Sequence, residues 1–149
     1  MYGTEVNIYR QTDILTADPK RLIILCYEGA IQGLNLARAK YLSKEYEAKG
    51  KAIQKVLDIL GELREALDFE KGGEIANHLD SLYSFMVRHI LKADLKRNVD
   101  ALDQVVVMLE ELKSAWETAF YSLQNKKNVT VPQGELDPIV SKGGVLLNP

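Results

Sequence analysis

The sequence predicts an all-α protein, an antiparallel up-and-down four-helix bundle with a flexible N-terminal segment and a mostly irregular C-terminal tail. Four segments carry apolar residues at helical spacing, and no segment alternates as a strand would. The connections between the segments are only a few residues long, which favours antiparallel neighbours.

The first helix opens at "TADPKRL" (16–22), where Asp18 can cap it and Pro19 can occupy the first turn. It is expected to run to about Tyr41. The second carries Ile53, Val56, Leu60, Leu63 and Leu67 on one stripe, with Glu62 and Arg64 beside it. The third carries Ile75, Leu79, Leu82, Met86, Ile90 and Ala93. The fourth follows a cap at Asn98 and carries Leu102, Val105, Leu109, Leu112, Trp116 and Ala119, flanked by Glu110, Lys113 and Glu117. Connections fall around 43–45, 68–73 and 95–98.

The pair Gly72-Gly73 reads as a hinge that lets the chain leave the second helix near Leu67 or Asp68 through a left-handed backbone. A phosphate loop would follow a strand and carry lysine with Ser or Thr after its last glycine; here Glu74 follows. Residues 1–17 form a polar N-terminal segment with scattered apolar residues, among them Tyr9, Ile14 and Leu15. The bundle spans 18–123, and 124–149 is a tail rich in Gly, Pro and Asn without period.

Composition narrows the function classes. With 46% apolar and 27% charged residues, the 149-residue chain can bury a genuine core as one domain. A formal net charge of −2 gives no field for nucleic acid or anionic lipid. The N-terminus lacks the basic and apolar regions of a signal peptide, and no apolar stretch approaches the roughly 18–20 residues of a membrane span. One cysteine, Cys26, allows no internal disulfide and fits a reducing compartment. A cytoplasmic location without membrane insertion is the expectation.

Catalytic chemistry finds little to stand on. Glu74 and His78 sit four residues apart with no second pair, so a bundle metal site lacks its ligands. Cys26 lies in "LIILCYEGA", whose apolar neighbours would raise its pKa and make it inert. Two histidines cannot furnish a catalytic triad here, and no nucleotide loop or zinc pattern appears. A non-enzyme with no cofactor is expected. One alternative is carried by His89: "HILKA" (89–93) resembles the phosphorylated stretch of histidine phosphotransfer domains, also four-helix bundles, with Ala93 in place of the usual glycine. A nearby Lys92 would stabilise a phosphorylated ring.

Apolar surface points elsewhere. Leu22-Ile23-Ile24-Leu25-Cys26-Tyr27 is a continuous apolar run on a helix, and successive residues advance by about 100°, so the run covers the whole circumference. Ile59 and Ala66 form a second line on helix two, and Tyr83, Val87 and Leu91 do so on helix three. A core alone leaves part of this unburied. A groove that accepts partner helices would use it, with residues 1–17 covering the groove when empty. The expected contacts are Tyr9, Ile14, Leu22, Ile23, Tyr27, Ile59, Tyr83 and Val87, whereas Leu60, Leu79, Leu109 and Trp116 should serve the core.

The wording of three stretches adds a resemblance. "ADPKRLIILCYEGAIQGLNLA" (17–37), "ILGELREALDFEKGGEIANHLDSLY" (59–83) and "ALDQVVVMLEELKSAWETA" (101–119) resemble the flagellar secretion chaperones of the FliS family over roughly residues 9–121. The tail lies outside that pattern. The resemblance implies a four-helix bundle that binds the disordered C-terminal segment of flagellin, prevents premature polymerisation and assists delivery to the flagellar type III secretion gate. It further implies contact with the gate component FlhA and with a regulator linked to flagellin levels. A monomer or weak homodimer is the expected state of the chain itself. A client that orders on binding needs a large apolar contact, which the unexplained surface would supply.

Overall fold

The computed structural model describes residues 18–125, which form four helices: α1 (Pro19–Leu42), α2 (Tyr46–Glu65), α3 (Phe69–Leu95) and α4 (Val99–Asn125). Each packs on its two neighbours in a ring, α1 on α2 and α4, and α3 on α2 and α4, as an up-and-down bundle requires. The segment 1–17 and most of the tail lie outside the described residues. Helix α4 continues two residues past the expected end of the bundle, to Asn125.

Local signals set the helix ends. Asp18 accepts from the Arg21 amide at 2.8 Å, and Pro19 needs no amide partner in the first turn. Asn98 caps α4 through the Ala101 amide at 3.3 Å. The two turns at that end of the bundle repeat one design: Lys44 and Arg97 adopt positive φ, and the amides of Glu45 and Asn98 reach back to the Lys40 and Ala93 carbonyls.

The double glycine works differently from the expectation. Helix α2 ends at Glu65 with Ala66 still right-handed, so no glycine is needed to leave it. Asp68 caps a first turn from Phe69, and Gly73 then breaks the helix internally with φ 52° and ψ −127°. That backbone region is accessible essentially to glycine alone. A Cβ at Gly73 would meet nothing within 4 Å, so Gly73→Ala is expected to cost about 1–3 kcal/mol purely as backbone strain. Urea unfolding checks this, and Gly72→Ala, one residue away and without positive φ, is the comparison.

The core holds the expected stripes. Ile53, Val56, Leu60, Leu63 and Leu67 of the second stripe are all buried, as are Leu79, Met86, Ile90, Leu102, Val105, Leu109 and Trp116. Ile75 departs from its stripe: two residues after the Gly73 break, it is 56% exposed. Leu82, Leu112 and Ala119 are only half-buried. The six-residue apolar run is largely consumed: Leu22, Ile23, Ile24 and Tyr27 are buried, because α1 has one flank against α2 and the other against α4.

Helices α1 and α2 meet most closely, and glycine is the reason. A Cβ on Gly33 would sit 2.5 Å from Val56 Cγ2, and one on Gly29 would sit 3.3 Å from Ile59 Cδ1. Val56 is fully buried and has nowhere to retreat. Gly33→Ala is therefore expected to destabilise by about 1–3 kcal/mol despite alanine's better helix propensity. In a urea double-mutant cycle, Val56→Ala should give back part of that loss when combined with it, a coupling that purely helical effects would not produce.

Candidate partner-binding surface

The four seams between helices are closed by different chemistry. At α1–α2, glycines allow close approach. At α1–α4, Arg38 pairs with Asp103 at 3.6 Å and Lys113 with Glu28 at 3.4 Å. At α2–α3, Arg64 reaches Asp80 at 2.9 Å and Lys49 bonds Asp94. The α3–α4 seam carries no ion pair among the described residues; a hydrogen bond from His89 to Gln104, 2.8 Å, joins it. A depression between α1 and α4 is lined by Ile31 and by polar residues, Glu28, Glu110, Lys113 and Glu117 among them, and its lysine is internally paired.

That fourth seam also carries an apolar strip. On α3, Ile75, His78, Leu82, Phe85 and His89 follow each other by three and four residues and share one flank. On α4, Gln104, Met108, Leu112, Ala115 and Ala119 do the same. The helices are antiparallel, so the His89–Gln104 bond fixes the register. It sets Phe85 level with Met108, Leu82 with Leu112, His78 with Ala115 and Ile75 with Ala119. The strip is about 21 Å long at 1.5 Å per residue. Phe85 is 43% exposed and stacks on His89 with ring centroids 5.3 Å apart, while Met108 and Leu112 pack partly against the core. Small alanines at 115 and 119 and larger walls at 82 and 85 suit the apolar face of an added helix.

Beneath the surface, three aromatic side chains from α1, α3 and α4 meet. Trp116 donates its Nε1–H to the Tyr27 hydroxyl at 2.9 Å, and the Tyr27 and Tyr83 hydroxyls share a further hydrogen bond. Burial pushes the Tyr27 phenol up to about 12, against the lowering effect of these bonds, and holds Tyr83 well above its ordinary range. Burial, then the charge of Glu62, pushes the nearby Cys26 thiol up to about 12. All three groups are acids whose folded-state pKa is raised, so their neutral forms stabilise the fold below the unfolded pKa values. That stability is lost as pH rises from about 9 toward 12. Unfolding midpoints should fall across that interval, and Cys26→Ala with Tyr83→Phe should flatten the fall relative to the unaltered chain.

A bundle with a partly exposed apolar strip could serve many families, and comparison decides among them. The family profile described as flagellar protein FliS matches residues 2–122. The chain belongs to the FliS family. Its relatives include the flagellar secretion chaperone FliSB of Pseudomonas aeruginosa, 38% identical over 107 residues, which are 72% of this chain and 85% of that protein. The flagellar secretion chaperone FliS of Vibrio cholerae is 37% identical over 106 residues, 71% of this chain and 78% of its own. That of Salmonella typhimurium is 35% identical over 108 residues, 72% and 80% of the two chains.

In this FliS family member the sequence-selected contacts separate into three groups. Tyr9 and Ile14 lie outside the described residues. Leu22, Ile23, Tyr27 and Tyr83 lie in the core, at 4%, 4%, 0% and 2% exposure, where their side chains are closed to a partner in this arrangement. Ile59 and Val87 are half-buried and pack at the edge of the core. Val87 and the exposed Leu91 lie on the α2-facing flank of α3, between the residues that pair with Arg64 and Lys49. His89 has Nε2 engaged by Gln104 and its ring against Phe85, an arrangement that does not favour an exposed phosphate acceptor. The α3–α4 strip was not among the selected contacts. Its signal was the repeat 75, 78, 82, 85, 89, in which two histidines interrupt an otherwise apolar line.

No described helix is long and apolar enough to cross a membrane, and no three His, Cys, Asp or Glu side chains group as metal ligands among the described residues.

Proposed function

We propose that this protein is a cytosolic export chaperone that binds the disordered C-terminal segment of flagellin, prevents its premature polymerisation and assists its delivery to the flagellar type III secretion gate. The observation that carries the reading is the α3–α4 strip, apolar and uncrossed by ion pairs among the described residues, on a chain of the FliS family. The curated relatives are named flagellar secretion chaperones, which supports a carrier role. The client would lay an amphipathic helix of about 14 residues along the strip, its apolar side chains entering between Leu82, Phe85, Met108 and Leu112. A second patch at Val87 and Leu91, with Leu57 of α2, would take a further turn of the same client. Segment 1–17, with Tyr9 and Ile14, is the part expected to cover apolar surface when no client is bound.

Binding of this kind needs neither a nucleotide nor a metal: handover to the gate, through a contact with FlhA, supplies the direction. A flagellin-level regulator would read the same client-bound or client-free state. Calorimetric titration with a peptide spanning the flagellin C-terminal segment tests the reading. Saturable binding with a large negative heat-capacity change is the expected result, since an unstructured client folds as it buries apolar area. Absence of binding at protein concentrations well above micromolar would overturn it.

A further inference from the structure

The α3–α4 strip lies near the C-terminal end of the described residues, and this points to an occupant within the same molecule. Helix α4 forms one wall of the strip and reaches Asn125. The near end of the strip, at Ala119 and Ile75, is six residues back along α4, about 9 Å. Twenty-four residues, 126–149, follow Asn125. Reaching the far end of the strip, at His89 and Gln104, requires about 32 Å, a span that some ten extended residues cover. The segment is therefore long enough to turn back and span the strip with chain to spare.

Its chemistry matches the strip. Residues 134–149 contain Leu136, Ile139, Val140, Val145, Leu146 and Leu147 against only Glu135, Asp137 and Lys142 as charged side chains. The strip likewise presents Ile75, Leu82, Phe85, Met108 and Leu112 with little charge between them. The family profile stops at residue 122, so the segment is an addition to the matched bundle. The chain is also longer than the FliSB relative, since the aligned 107 residues are 85% of that protein and 72% of this chain.

We propose that residues 134–149 occupy the α3–α4 strip in cis. The apolar cluster Val145-Leu146-Leu147 lies against the alanine-floored part near Ala115. A partner that binds the strip must first displace this segment. That consequence rests on the proposed function; the occupancy itself does not.

Disulfide trapping in the full chain tests it without any partner present. In a Cys26→Ser background, Leu146→Cys is combined either with Ala115→Cys, which is exposed on the strip, or with Lys55→Cys, which is exposed on α2 away from it. Under a glutathione buffer, the intrachain 146–115 bond should form about tenfold faster than the 146–55 bond, because docking raises the effective concentration. Adding Leu147→Asp should bring the two rates together. Equal rates in the first comparison overturn the proposal. So does a predominant interchain bond, which would make a second copy the occupant. A third pair, Ile14→Cys with Ala115→Cys, reads the N-terminal segment; if it outpaces 146–115, that segment holds the strip and the proposal fails. Because no client enters the assay, its failure leaves the calorimetric test of client binding untouched.

Discussion

Trp116→Ala is expected to lower the unfolding free energy by about 3–5 kcal/mol, through lost transfer energy and the cavity left behind. Trp116 sits in the core of α4 and stacks on Phe120 at 5.4 Å, so the cavity would open where α1, α3 and α4 meet. Its N–H also anchors the Tyr27 hydroxyl, which ranks a set of gentler substitutions. Tyr27→Phe removes the central oxygen and orphans both the Trp116 N–H and the Tyr83 hydroxyl, at about 1–3 kcal/mol for each buried group left unpaired. Tyr83→Phe leaves the Trp116–Tyr27 bond intact and should cost less. Urea unfolding followed by circular dichroism, with unchanged m-values, gives the ranking. A Tyr83→Phe loss equal to or larger than that of Tyr27→Phe would show that Tyr27 is not the centre of the network.

This network marks the boundary of what the sequence carries. The stripes of α2 and α4 are local patterns: Ile53 through Leu67, and Leu102 through Trp116, declare their buried face by spacing alone. The caps at Asp18 and Asn98 are equally local. Tyr27 and Tyr83 are 56 positions apart and Tyr27 and Trp116 are 89 apart, and no local pattern says that their polar atoms meet. The same limit explains the contact residues. An apolar run around a whole helix reads as excess surface when only the side facing the bundle axis is counted as buried. Helix α1 has two neighbours and a core-facing side, so Leu22, Ile23 and Tyr27 are consumed by packing. Conversely, Leu82 and Leu112 fit the core stripes by spacing but stay half-buried, because they stand at the α3–α4 edge of the core, level with each other across that seam. Gly73 shows a third case: its positive φ was legible from composition, and its place inside α3 was set by the Asp68 cap starting a new turn ahead of it.

Phe85→Asp is expected to weaken binding of the flagellin C-terminal peptide at least about 100-fold, or about 2.7 kcal/mol. The ring is 43% exposed, so its removal opens no deep cavity and the fold should survive with a small loss. What changes is the strip: a carboxylate would stand level with Met108, where a bound client would leave it buried without a partner. Met108→Asp should act in the same direction, with a greater loss of stability because that side chain packs against the core. Leu36→Asp supplies the control, since Leu36 is a comparably exposed apolar residue of α1 and carries the same added charge outside the strip. Val87→Asp separates the two surfaces, for it places the charge on the α2-facing flank of α3. If calorimetry finds Phe85→Asp and Leu36→Asp equally harmless, the client does not use the α3–α4 strip. If Val87→Asp alone abolishes binding, the client lies between α2 and α3, across the Arg64–Asp80 and Lys49–Asp94 pairs. Loss with Phe85→Asp and near-normal binding with Leu36→Asp would place the client along the seam that ion pairs leave open, where an apolar helix gains the most by displacing water.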